Sequence, residues 1–134
     1  MNEAVKFLRE NPVQYLATIG KDGKPKIRPF QFMIEEDGKI FFCTSNQKEV
    51  YKEIKTAPYI ELCVASPNNA WIRISGKVEF SDDIAVKAAI IENSQLVKSK
   101  YKTPDNPIFE IFYLKDASAV IADFSGQPPK QYQI

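Results

Sequence analysis

Histidine is absent from the sequence. Because histidine is the commonest general base near neutral pH and the commonest metal ligand, catalytic triads, zinc hydrolase centres and a haem with a proximal histidine are excluded, and no metal site is expected. Cysteine is scarce: Cys43 and Cys63 stand twenty residues apart within apolar runs and form no C-x-x-C pair, so they read as small core residues rather than redox or metal groups. No stretch approaches the ~18 apolar residues of a membrane span, and the opening MNEAVKFLREN carries charges among its apolar positions. With no signal peptide and few cysteines, a cytoplasmic location and no membrane partner are expected. Charge of one sign is also lacking: 18 basic residues face 17 acidic ones, for a net +1, so no long-range field draws the chain to nucleic acid and any anion site must be local. The five glycines, at 20, 23, 38, 76 and 126, form neither G-x-G-x-x-G nor a Walker A loop, and G-x-S-x-G is missing too.

What is present fits one globular domain over residues 1–134, with 44% hydrophobic residues. Asn2 can cap a first helix with Ala4, Val5, Phe7 and Leu8 on one stripe, ended by Asn11-Pro12. From Val13 the period becomes two, giving a strand to Ile19, a turn at Gly20-Lys21-Asp22-Gly23, a strand from Lys26 to Ile34, a turn at Glu35 to Gly38, and a strand from Lys39 to Thr44. A helix follows between Asn46 and Thr56, then a strand from Tyr59 to Ala65 and a long strand with Ile72, Ile74, Gly76, Val78 and Phe80 on one face. Ser81-Asp82-Asp83 caps a third helix, Ile84 to about Leu96, and Lys98, Lys100 and Lys102 lead into a proline-containing loop. The stretch from Ile108 to Phe124 divides near Lys115-Asp116 into two strands, leaving Ser125 to Ile134 as a Pro/Gln-rich tail that could not pack alone. Strands joined by tight turns predict an α+β fold, a mainly antiparallel sheet or small barrel of six to seven strands with about three flanking helices.

Two segments carry candidate chemistry. Thr44, Ser45, Asn46 and Lys48 place hydroxyls, a carboxamide and an ammonium where a strand runs into a helix, a plausible phosphate pocket, although one of the three short polar residues could merely cap the helix. Arg28, one of three arginines, sits beside Pro29 and Phe30, where its guanidinium could fork onto a phosphate, stack on an aromatic ring, or pair with a nearby glutamate. Pro29 removes a ladder donor and marks an edge, a bulge or a ligand approach. Trp71 and Arg73 lie opposite Ile72 and Ile74, so a large aromatic occupies the non-core face, where a second subunit or a flat ligand could cover it.

The ordered series LATIGKDGKPKIRPF, EDGKIFFCTSNQKEVYKEIKTAPYIELC and WIRISGKVEF resembles the pyridoxamine 5'-phosphate oxidase-like FMN-binding split-barrel proteins, in particular their small single-domain branch of nitroimidazole-resistance and general-stress flavoproteins. The resemblance spans about Val13 to Phe80, with an echo in the last two strands. It implies a split barrel, a homodimer, and FMN in clefts at the subunit interface. By position, Arg28, Pro29 and Phe30 correspond to the segment lining the flavin ring, Thr44, Ser45, Asn46 and Lys48 to the phosphate and ribityl binders, and Trp71 and Arg73 to residues approaching from the interface. The C-terminal R-x-H substrate motif of the true oxidases is missing, since the chain ends in QPPKQYQI without histidine, which argues against vitamin B6 oxidation. The same barrel also hosts deazaflavin and haem binders, and the lack of histidine weakens the haem option most. Two functional classes follow: an FMN-dependent oxidoreductase exchanging electrons with a small-molecule donor or acceptor, or a binding module. The latter would be a flavin carrier or a barrel that stacks nucleic-acid bases on Trp71 and Phe30, and the near-zero net charge counts against nucleic acid.

Overall fold

In the computed structural model, residues 3–134 are described in full and Asn2 by its backbone, so the capping expected of the Asn2 side chain lies outside the described residues. Helix α1 (Asn2–Glu10) buries Ala4, Val5 and Leu8, and Asn11 closes it by donating both its backbone N–H (3.1 Å) and its side-chain amide (3.0 Å) to the Phe7 carbonyl. Strands β1 (Gln14–Ile19) and β2 (Pro25–Phe30) form the first hairpin, followed by β3 (Ile34–Glu36), β4 (Lys39–Ser45), α2 (Glu49–Thr56), β5 (Tyr59–Ala65) and β6 (Trp71–Ser81). Helices α3 (Ile84–Asn93) and α4 (Gln95–Tyr101) precede β7 (Phe109–Ala122) and β8 (Lys130–Gln133). No helix among the described residues is long and apolar enough to cross a membrane.

All pairings are antiparallel, and the sheet runs β2-β1-β5-β6-β7-β4-β3 with β8 added to β7. The two ends of this path, β2 and β3, are consecutive in the chain and separated only by Gln31, Phe32 and Met33. Three residues reach ~10 Å when extended, so the sheet must curl until its ends nearly meet. They meet without pairing, which is the split-barrel architecture expected. Its interior is filled by Leu16, Phe32, Ile40, Phe42, Leu62, Ile72, Ile74 and Phe112. On the outer side of β4 and β7, Phe41, Phe109 and Ile111 form a second cluster with Val86, Ile90, Val97 and Tyr101 of α3 and α4.

Five local expectations are revised. The strand expected over 26–34 breaks at residues 31–33, because that stretch carries the chain from one end of the sheet to the other. The third helix divides at Ser94, whose extended backbone (φ −139°, ψ 112°) ends α3 while its hydroxyl accepts from the Val97 N–H at 3.2 Å to start α4, so four helices form and Lys98 and Lys100 are helical. The division expected at Lys115-Asp116 is a β-bulge within one strand: the β6 register shifts between Ser75 and Lys77, and Asp116 takes φ 53°. Opposite the bulge, a Cβ on Gly76 would lie 3.1 Å from the Leu114 Cβ and 3.2 Å from the Ala117 Cβ, so glycine lets the two strands approach. The tail packs after all, adding β8 as an eighth strand with Tyr132 and Ile134 against the core. Finally, Cys43 and Cys63 are half-buried rather than core residues, and Cys43 packs against the outer cluster.

The inward face of β1 is the polar one. Gln14 and Thr18 are buried with Leu16, while Val13, Tyr15 and Ile19 are about half exposed. Helix ends and the β2–β3 crossing supply polar partners inside. Gln14 donates its amide to Asn11 O (2.7 Å) and accepts from the Phe32 N–H (2.7 Å), and Thr18 donates to Glu53 Oε1 (2.7 Å). The apolar outward face is left uncovered.

Candidate functional site

The cleft lies where the barrel is split. Strand β3 pairs only with Lys39–Phe41, so the rest of β4 has no strand on that side. Pro29, Phe30, Gln31 and Met33 from the crossing form one wall, Cys43, Thr44 and Lys48 from the β4–α2 junction the floor and one end, and Leu96, Val97, Lys100 and Tyr101 from α4 the other wall. The enclosed volume is about 180 Å³. Cofactor-sized ligands occupy pockets of roughly 300–1,000 Å³, and this cleft is smaller.

The cleft is apolar along its walls and cationic at one end. Among the described residues no carboxylate lines it, and neither Lys48 nor Lys100 makes an ion pair. Burial first, then the neighbouring Lys100, holds the Lys48 ammonium below the ordinary lysine range. Thr44, 2% exposed, has its Oγ1 buried with no hydrogen-bond partner among the described residues. A hydroxyl so placed costs about 1–3 kcal/mol unless something fills its valence. Desolvation pushes the Cys43 thiol up to about 11 and the Tyr101 phenol up to about 12, so both stay protonated at neutral pH. This end of the cleft is therefore cationic and able to accommodate an anion.

Of the nine residues singled out from the sequence, Pro29, Phe30, Thr44 and Lys48 meet in the cleft. Ser45 and Asn46 flank it and are engaged in shaping the turn. Ser45 Oγ accepts from the Gln47 N–H at 3.1 Å, and Asn46 donates to Pro107 O and Glu110 Oε2, both at 2.9 Å, tying the start of α2 to β7. Helix α2 begins later than Asn46, with Lys48 at its N-cap position and no side-chain cap. Arg28 points elsewhere: its guanidinium donates to Leu16 O (3.1 Å) and Glu53 Oε1 (2.8 Å), the glutamate pairing foreseen as one option. Arg73 pairs with Glu61 at 2.9 Å, and Trp71 packs on Phe124 with ring centroids 5.1 Å apart. Lys100 and Tyr101 were missed. Their signal was the spacing of Val97 and Tyr101 after the capping Ser94, one helical turn that buries both.

Trp71 and Arg73 nevertheless adjoin the cleft through the sheet register. Pro29 pairs with Tyr15, Tyr15 with Cys63 and Cys63 with Arg73, so the cleft wall continues into the outward face of the sheet. That face also carries Ile27, 68% exposed, and Ile19, and at its far end Phe124 is 82% exposed.

The sequence matches the pyridoxamine 5'-phosphate oxidase family over residues 1–115, and a NimC/NimA family protein from Clostridium acetobutylicum superposes with a TM-score of 0.91 at 30% identity, covering 100% of this chain and 92% of that one. The chain belongs to the pyridoxamine 5'-phosphate oxidase family. Two more distant family members share the fold. A C. acetobutylicum protein related to general stress protein 26 has a TM-score of 0.74 at 18% identity, covering 98% of this chain and 92% of that one. A pyridoxamine 5'-phosphate oxidase-related, FMN-binding protein from Nostoc punctiforme has a TM-score of 0.76 at 19% identity, covering 98% and 89%. Among curated proteins, none matches the sequence. The family resemblance drawn from the sequence is thus correct, and within the family this member brings two lysines and no histidine to its cleft.

Proposed function

We propose that this family member is an FMN-binding flavoprotein, a homodimeric oxidoreductase of the cytoplasm that exchanges electrons with a small-molecule donor or acceptor. The observation that carries it is the split-barrel cleft itself, apolar along Phe30, Met33 and Leu96 and ending at Thr44 and Lys48. Such a cleft suits an amphipathic ligand with a flat apolar ring and an anionic tail. Lys48 and Thr44 hold the phosphate, Pro29 and Phe30 border the ring, and the buried, protonated Cys43 and Tyr101 add no competing charge. When bound, FMN supplies the hydride or electron transfer that no side chain here can perform. The chain's own work is to bind, orient and exclude water.

The outward face adjoining the cleft supports the dimer. Tyr15, Ile19, Ile27 and Trp71 are apolar residues of one sheet surface, and a second copy placed there would bring its Trp71 and Arg73 toward the cleft and complete its volume. Absorption spectra of the purified protein before and after adding FMN test the proposal. Flavin bands with a perturbed maximum are expected, and a protein that gains no such spectrum with excess FMN is not a flavoprotein. Reduction of the loaded protein by NADH or NADPH then separates an oxidoreductase from a flavin carrier.

A further inference from the structure

We propose that Lys100, brought to the cleft by α4, is the residue that makes the phosphate end selective for a doubly charged phosphomonoester. The inference deepens the flavin reading and rests on it for the identity of the ligand's other half. Its own footing is the arrangement of three groups from three elements. Lys48 stands at the start of α2, Thr44 near the end of β4, and Lys100 in the last turn of α4, all on one cleft.

The placement of Lys100 is built in. Helix α4 is anchored by Val97 and Tyr101, both buried in the outer cluster, and this fixes the rotation of the helix and carries Lys100 to the cleft beside Lys48. Its neighbour Lys98 turns the other way and pairs with Glu92 at 3.5 Å. Lys100 has no such partner among the described residues, and its ammonium stands 5.4 Å from the centroid of the adjacent Tyr101 ring. Two like charges held together without a counter-ion repel, and proteins ordinarily separate or pair them. One ligand answers both ammoniums: a group with several acceptor oxygens and more than one negative charge.

One ammonium satisfies a singly charged anion. The second gains only when the ligand's second charge is present, and a phosphomonoester carries about −1.5 to −2 at pH 7. Lys48 therefore provides affinity for any anionic tail, and Lys100 provides the preference for a dianion over a monoanion of the same shape.

Fluorescence titrations with FMN, riboflavin 5'-sulfate and riboflavin compare a dianion, a nearly isosteric monoanion and an uncharged ligand. Binding of inorganic phosphate, followed by its 31P line width, probes the subsite without a flavin. Wild-type protein is expected to prefer FMN to the sulfate at least tenfold. Lys100→Gln should reduce that preference to within twofold, leave riboflavin unchanged, and weaken inorganic phosphate, whereas Lys98→Gln should match wild type throughout. A folded Lys100→Gln protein with the wild-type preference overturns the inference and leaves the flavin reading intact. Phosphate binding that depends on Lys100 in a protein that takes up no flavin supports the subsite and overturns the flavin reading. Absence of phosphate and flavin binding overturns both.

Discussion

Arg28 Nη2 lies 2.8 Å from Glu53 Oε1, and Thr18 donates its hydroxyl to the same oxygen at 2.7 Å. This joint ties β1, β2 and α2 together just behind the cleft wall. Glu53 is nearly buried while Arg28 retains some solvent contact, so the pair is more than a surface ion pair and less than a fully desolvated one. Glu53→Ala should lower stability by roughly 1.5–3 kcal/mol, the range for a hydrogen bond to a charged group, read from urea unfolding midpoints. Arg28→Met should cost less and leave the ratio of FMN to riboflavin affinity at its wild-type value. A collapse of that ratio would place Arg28 at the phosphate.

Lys48→Ala should weaken FMN at least tenfold and leave riboflavin almost unaffected, since a charge-assisted contact contributes on the order of 1.5–3 kcal/mol. The binding form of Lys48 is the ammonium, and burial together with Lys100 lowers its pKa in the free protein. FMN affinity should therefore fall as pH rises through that lowered value, before ordinary lysines deprotonate, while riboflavin affinity stays flat. Titrations at pH values from 7 to about 10 check the sign.

Sedimentation at micromolar concentration should give twice the 15.3 kDa chain mass. Ile27→Glu places a carboxylate on the outward face and should dissociate the dimer while the barrel stays folded, because Ile27 contributes nothing to the core clusters. Flavin affinity should drop with dimerisation. A monomeric variant with full affinity would show that one chain suffices.

The raised Cys43 pKa, from 9.0 to about 11, makes the thiolate at pH 8 about a hundredfold scarcer than in an unperturbed thiol, so alkylation by iodoacetamide should slow accordingly. Because the folded state prefers the protonated thiol, this group's contribution to stability is full below pH 9 and lost as pH rises from 9 towards 11. Cys43→Ala combined with Cys63→Ala should leave both reduction and reoxidation of the bound flavin intact in stopped-flow absorbance. Loss of either half-reaction in a loaded, folded double variant would assign a cysteine to the chemistry.

Most of the barrel was legible because its signals are local. Turn residues at 20–23 and 66–69 and the alternation of Ile72, Ile74 and Val78 fix strands without reference to the rest of the chain. What could not be read depends on distant partners. Gln14 and Thr18 look like surface residues until the Phe32 amide and the Glu53 carboxylate come to meet them. Residues 130–133 become a strand only because β7 offers an edge, and the Asp116 bulge exists because β6 needs one residue fewer across from it. At the cleft, Thr44 and Lys48 were visible from their own segment. Lys100 was not, because its part follows from how Val97 and Tyr101 rotate a helix that starts unexpectedly at Ser94.

Strand β2 ends the sheet path, and two of its six residues, Pro25 and Pro29, have no N–H to offer a neighbour. An incoming strand would find gaps in the hydrogen-bond ladder, so chain-to-chain growth along this edge, the first step toward fibrils, is disfavoured. Among the described strands, β2 is therefore a poor template for strand addition.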